Sequence, residues 1–304
     1  MLSIVAAVYI ALYYLVRQVI MEIGNSIKFY RHHKLALERV RNFVFDVCHE
    51  REPSHNHIHM ETVAKNALWI AKWSIFLRSV TPIILAPFWF WLLNMYHPAQ
   101  IDLPIVNIMS ICLTVFLTYV MYQSIAPQIL CFLVQVVGLL HDVADHKYIK
   151  HDPSLSQKLD RFIGEFCNDF YFLIMGSQYD NIFTVDGIKR IIERISFSKQ
   201  QNSGTDDWLE VLGYAGLRIR NIVSDGDKWE AIGKQGIQRC ASYSEEHLKK
   251  TGKEYDASIV RDDVIRHYHE KLKLIKSTQY MKTVMGWIWA QVLDREMNTE
   301  ISLL

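Results

Sequence analysis

The 304-residue chain lacks a surplus of either charge, with 33 Lys and Arg against 32 Asp and Glu. A nucleic-acid partner calls for a basic excess, and none is present. The five cysteines, Cys48, Cys112, Cys131, Cys167 and Cys240, form no CxxC pair and no Cys/His zinc spacing. An odd, scattered set gives no disulfide framework and fits reduced thiols in a reducing compartment. No Walker-type phosphate loop, no internal repeat and no alternating apolar run of useful strand length occurs. The chain therefore reads as all-α. Charge itself is missing from one long region: between Arg78 and Asp142 the only Asp, Glu, Lys or Arg is Asp102. A gap of that size marks a membrane or an unusually apolar core.

What stands in the gap is hydrophobic. Ser79–Tyr96 and Ile105–Ile125 are charge-free, each near the roughly 20 residues that span a bilayer as a helix. Pro82 and Pro87 are tolerated in such helices, and Trp89, Trp91, Tyr96, Tyr119 and Tyr122 sit toward their ends, as interfacial aromatics do. Residues 2–16 are also uncharged and apolar, with no basic residue before them and no cleavage site after. Lys and Arg follow the first segment and precede the hairpin but are absent from the 97–104 loop. The expectation is a multi-pass membrane protein in contact with membrane lipids, its helical bulk on the cytoplasmic side. The boundaries are a membrane anchor at 1–24, a first helical part at 25–75, a transmembrane hairpin insertion at 76–126 and a second helical part at 127–304. Within the last, periodicity predicts helices at 154–174, 186–195, 206–223, 228–240 and 255–295.

The histidines carry the chemistry. His55 and His59 are four apart and share a helix face. His141-Asp142 closes an almost purely apolar segment, where polar groups are costly unless they bind something. Asp225 and Asp227 follow a third apolar segment. Imidazoles and carboxylates together suit a divalent transition metal, Mn²⁺ or Mg²⁺.

On these residues the chain resembles the HD-domain phosphohydrolase superfamily. The resemblance covers about residues 30–75 and 127–295: His55-Asn56 and His59, GLLHDVADHKY at 138–148, ISFSKQ at 195–200, IVSDGDKWEAIGKQGIQR at 222–239 and RHYHEKLKLI at 266–275. The late segments are similar to a subgroup of predicted HD hydrolases with a Ser/Gln-Asp-Ala-Asp-Arg-Leu-Asp-Ala-Ile-Gly signature. The resemblance implies an HD-domain helical bundle with His59, His141, Asp142 and Asp225 as metal ligands. It implies a divalent cofactor among Mn²⁺, Mg²⁺, Co²⁺, Fe²⁺ and Zn²⁺, and hydrolysis of a phosphomonoester, a nucleotide or other small phosphorylated metabolite. Asp145 is then the expected general acid/base, Lys147 a phosphate-holding cation, and Asp227 an orienting carboxylate. His55 falls beside the ligands, and Arg239 and Lys228 are either substrate contacts or surface residues.

Two departures stand out. Ile195 occupies the position where the subgroup has a histidine before Ser-Phe-Ser, which removes a route to a second metal. Gly226, Lys228 and Trp229 replace Ala, Arg and Leu. They leave open a non-catalytic scaffold or nucleotide sensor; the hairpin alone suggests a lipid-phosphate substrate.

Overall fold

The structure, a computed structural model, describes residues 29–52, 55–96, 125–203, 207–252 and 254–303. Those residues form helices and connecting turns, with no strand among them. Helix α1 (29–48) buries Ala36, Leu37, Val40, Val44 and Cys48, one stripe at helical spacing. Its outer face is charged, and Arg39 pairs with Asp169 across the surface. Helix α2 (His57–Tyr96) is 40 residues long and buries His59, Met60, Val63, Ala64, Ala67, Ile70 and Ala71 along its first half.

The apolar segment before His141 forms α3 (Ile125–Leu140), buried on nearly every side. It runs antiparallel to α2: Gly138 lies against Ala64, while Ile75 and Gln128 line one cleft at the other end. After a turn come α4 (His146–Ile149), α5 (Ser154–Phe170), α6 (Val185–Ile192) and α7 (Phe197–Ser203). Helix α5 contributes Phe166 to an aromatic cluster with Phe132 and Phe183. Thr184 caps α6, its hydroxyl accepting from the Gly187 amide at 3.0 Å.

Helix α8 (Trp208–Ala231) covers the other side of α2, also antiparallel, with Gly226 against Val63 and Ala67. The predicted break between 223 and 228 is absent. The chain breaks instead at Ile232, which is extended, and Gly233, whose φ of +77° suits glycine. Helix α9 (Gly233–Lys250) follows, then α10 (Ala257–His267), a π-helical turn (Tyr268–Leu272), α11 (Lys273–Ile275) and α12 (Val284–Leu303). The single helix predicted over 255–295 is thus several pieces.

A buried polar network fixes the far side of α8. The Arg220 guanidinium donates to the Arg194 carbonyl at 2.7 Å and to Gln200 at 3.1 Å, and lies over the Trp208 ring. Gln200 in turn donates to the Gln279 and Tyr280 carbonyls. Burial pushes the Arg220 pKa down to about 10.

The membrane expectation is corrected. Among the described residues, no helix is long and apolar enough to cross a membrane. The first expected arm, 79–96, is not a separate helix: it continues α2, whose earlier turns carry Lys65, Lys72 and Arg78. The segment entering the site, α3, has 16 residues, short of a span. The inserted transmembrane hairpin and the multi-pass cytoplasmic-face arrangement therefore lose their support, and with them membrane lipids as partners. The expected anchor at 1–24 and most of the second arm lie outside the described residues.

Candidate metal centre

Antiparallel packing brings three helix ends to one place. His59 lies in the first turn of α2, His141 and Asp142 directly after α3, and Asp227 in the last turns of α8. The His59 Nε2 atom is 3.5 Å from Asp142 Oδ2 and 3.6 Å from Asp227 Oδ1. His141 Nε2 is 3.5 Å from Asp142 Oδ2 and 3.8 Å from Asp227 Oδ1. Two overlapping groups, His55/His59/Asp142 and His59/His141/Asp227, each offer three ligand atoms within 4.8 Å of one another, so these residues can hold a metal ion.

The tautomers follow from the outer bonds. His141 Nδ1–H donates to the Gly138 carbonyl at 2.8 Å, which leaves Nε2 as an acceptor. That Nε2 is buried and has no hydrogen-bond partner. His59 Nδ1–H donates to Glu230, which also faces Arg239, so that in the neutral ring Nε2 points inward as a lone pair. His55 Nδ1–H donates to Asp142 Oδ2 at 2.9 Å, while its Nε2 accepts from Lys147 Nζ at 3.1 Å. Arg51 donates to the Asp142 and Val143 carbonyls at 3.0 and 2.7 Å and holds the end of α3. Buried imidazoles fixed by outer carboxylates and carbonyls are the arrangement a ligating histidine requires.

The local field is negative. Burial disfavours the His59 imidazolium, yet hydrogen bonds to Asp142 and Glu230 and the charge of Asp227 outweigh it and raise its pKa to about 10. The same contest raises His141, where burial is overcome by Asp142 and Asp227. Burial works against ionised Asp142 and Asp227, but the histidines hold both below the usual carboxylate range. A field that draws protons onto two buried imidazoles is one that a cation can occupy in their place.

The aspartate assignment is corrected. Asp225 does not reach this cluster. Its carboxylate accepts from the Lys282 amide, from the Thr283 amide at 2.7 Å and from the Thr283 hydroxyl at 2.7 Å, which fastens the start of α12. Burial pushes its carboxyl above the usual range, against Lys228 and these donors. Asp227 takes the position expected of Asp225. The reason is helical: residues two apart lie about 200° apart around the axis, and α8 runs unbroken through both.

The other candidates separate. Lys147 lies beside His55 on a cavity of about 510 Å³ also lined by Arg239, Arg266 and Lys271. Burial lowers the Lys271 pKa, Asp227 opposes that, and Lys147 and Arg239 add to it, so these charges converge. Asp145 caps α4 through its bond from the Lys147 amide at 2.9 Å. It lines a different cavity, of about 640 Å³, with His141, Asp142 and Ile195. Lys228 is neither a substrate contact nor a surface residue: it is buried against Ser224, and burial pulls its pKa to about 7. Trp229 packs on Trp69 and donates to the Gly286 carbonyl at 3.0 Å.

Sequence reasoning gives no prominence to Glu230; its one signal is the three-residue step from Asp227 on the same helix face. Glu230→Gln is expected to weaken metal affinity by about 10- to 100-fold while the fold persists. A titration against a chelating dye checks it, and unchanged affinity would remove Glu230 from the centre.

No family model matches the chain. L803, an uncharacterized protein of Acanthamoeba polyphaga mimivirus, is 30% identical over 179 residues. The match covers 49% of this chain and 65% of that relative, so the chain spans just under two thirds of its length. Among solved structures, Bacillus subtilis YpgQ is similar at a TM-score of 0.47 and 15% identity, over 89% of this chain and 95% of that one. A likeness of that strength carries no argument about chemistry. That the cluster can hold a metal ion rests on its own geometry.

Proposed function

We propose that the chain is a metal-dependent phosphohydrolase acting on a small phosphorylated metabolite, as the resemblance to HD-domain enzymes implies. The observation that carries the reading is the buried, unpartnered Nε2 of His141, aimed with the Nε2 of His59 at Asp142 and Asp227. Leaving such an atom unsatisfied costs roughly 1–3 kcal/mol, which a ligated cation recovers. His59, His141, Asp142 and Asp227 would hold it, a donor set suited to Mn²⁺, Fe²⁺, Co²⁺ or Zn²⁺ and less to Mg²⁺. When bound, a divalent cation polarises a phosphoryl oxygen and lowers the pKa of a water.

The chain's own residues supply the rest. Lys147, Arg239, Arg266 and Lys271 line the adjoining cavity and offer a phosphoryl anion its counter-charges. His55 orients Asp142, and Glu230 orients His59. Asp145 caps α4 through Oδ1 and lines the cavity that holds His141 and Asp142, so Oδ2 is left to act as the general acid/base. Ile195 is buried beside His141, and its carbonyl accepts from Ser224 at 2.6 Å. An aliphatic side chain there cannot ligate, which favours a single metal.

A phosphate-release screen over phosphomonoesters and nucleotides, with added Mn²⁺, Co²⁺ or Mg²⁺, tests the reading. Release that disappears with chelator supports it. Metal-loaded protein that releases nothing from the panel would sink it. Within an active preparation, Lys271→Ala is expected to raise KM about tenfold with a smaller change in kcat.

A further inference from the structure

A third cavity, of about 500 Å³, opens between α2 and α8 well away from the metal centre. Arg78, Arg218 and Lys282 line it, with Asn221, Tyr179 and Thr283, and among the described residues no carboxylate does. Arg78 lies 19 residues along α2 from His59, about 28 Å at the helical rise. The cavity therefore belongs to neither pocket beside the cluster.

The charges there are arranged at a cost. Arg218 is half-buried, and among the described residues no ion pair joins it or Arg78 to an acid. The group whose charge bears most on Arg218 is Arg78, a second guanidinium; with burial it lowers the Arg218 pKa. Tyr179, fully buried, lines the same cavity beside Arg218. Lys282 is positioned by its backbone, whose amide donates to the buried Asp225. Three cations facing one concave space, with no ion pair to an acid among the described residues, describe an anion site. Leu77, Leu217 and Ile222 give it an apolar wall, and exposed Tyr214 gives an aromatic rim. Its volume falls within the range of small-molecule sites, about 300–1,000 Å³.

We propose that this cavity is a second binding site, separate from the metal centre, for a small phosphorylated molecule whose phosphoryl group is held by Arg78, Arg218 and Lys282. The mixed lining selects for an organic phosphate over a bare ion, but the phosphoryl group supplies the attraction and is the part to probe.

Isothermal titration of the full metal-loaded chain with inorganic phosphate at low salt tests it. Arg78→Glu/Lys282→Glu reverses two exposed charges, so it perturbs the fold little and leaves metal content as in the wild type. This variant is expected to lose one of two phosphate-binding events, with at least a tenfold drop in affinity. Lys271→Ala is expected to weaken the other event and spare this one. Arg218→Lys keeps the charge and is expected to retain most of the binding. The proposal is overturned if the double reversal binds phosphate as the wild type does, or if wild-type binding is a single event that Lys271→Ala removes.

Discussion

Asp227→Ala is expected to yield a folded protein without stoichiometric metal and to lower the proposed phosphohydrolase activity by about a thousandfold, near 4 kcal/mol of transition-state stabilisation. Asp225→Ala does the reverse: metal content stays, and stability falls by about 2–4 kcal/mol. The first result follows from position. Asp227 Oδ1 faces both His59 Nε2 and His141 Nε2, so its loss removes a ligand that two imidazoles converge on. The second follows from bonding. Asp225 is the buried acceptor for two backbone amides and a hydroxyl at 282–283, and its removal leaves these part-buried donors without their partner. Metal analysis by mass spectrometry and chemical denaturation, run on both variants, separate the two roles. Metal lost from the Asp225 variant and kept in the Asp227 variant would reverse the assignment. Asp225→Asn retains one acceptor oxygen and keeps the comparison available if the alanine variant does not fold.

Gly226→Ala is expected to destabilise the helix pair that carries the site through a one-carbon change. A Cβ at 226 would lie 2.9 Å from the Ala67 amide nitrogen and 3.2 Å from the Val63 carbonyl. Those atoms are backbone of a long helix and cannot swing aside, so α8 must move off α2. Overpacking of this kind costs about 1–3 kcal/mol. The displacement falls between the helices that carry Asp227 and His59, so metal affinity is expected to drop with stability. Gly138→Ala repeats the experiment on the other side of α2, where a Cβ would meet Ala64 Cα at 2.9 Å. The denaturation midpoint and the metal titration are the measurements. A Gly226→Ala protein with wild-type values in both would show that α2 and α8 do not need this contact.

Part of this was legible from residue spacing. His59 and His141-Asp142 stand out because polar, ligating side chains interrupt apolar helices, and the structure brings them within 3.5 Å of one another. Helical periodicity gave the all-α character. The choice between Asp225 and Asp227 was not legible, because it depends on which side of α8 meets α2. Gly226 marks that contact line, and the flanking aspartates turn to either side of it, one to the metal cluster and one to α12. The run 79–96 was misread for a related reason. Hydropathy reports that side chains avoid water, and it does not report whether a segment begins a helix or prolongs one that carries a ligand. The cation sets around Lys271 and Arg218 were invisible because helices distant in sequence assemble each of them.

The metal centre joins positions far apart along the chain. His59 and His141 are 82 residues apart, and Asp142 and Asp227 are 85 apart. A cation seated among them is therefore a reversible cross-link that closes two long loops at once. The unfolded chain has no such convergence of side chains, so binding favours the folded form by mass action. The same ion that would serve the chemistry also ties α2, α3 and α8 into one unit.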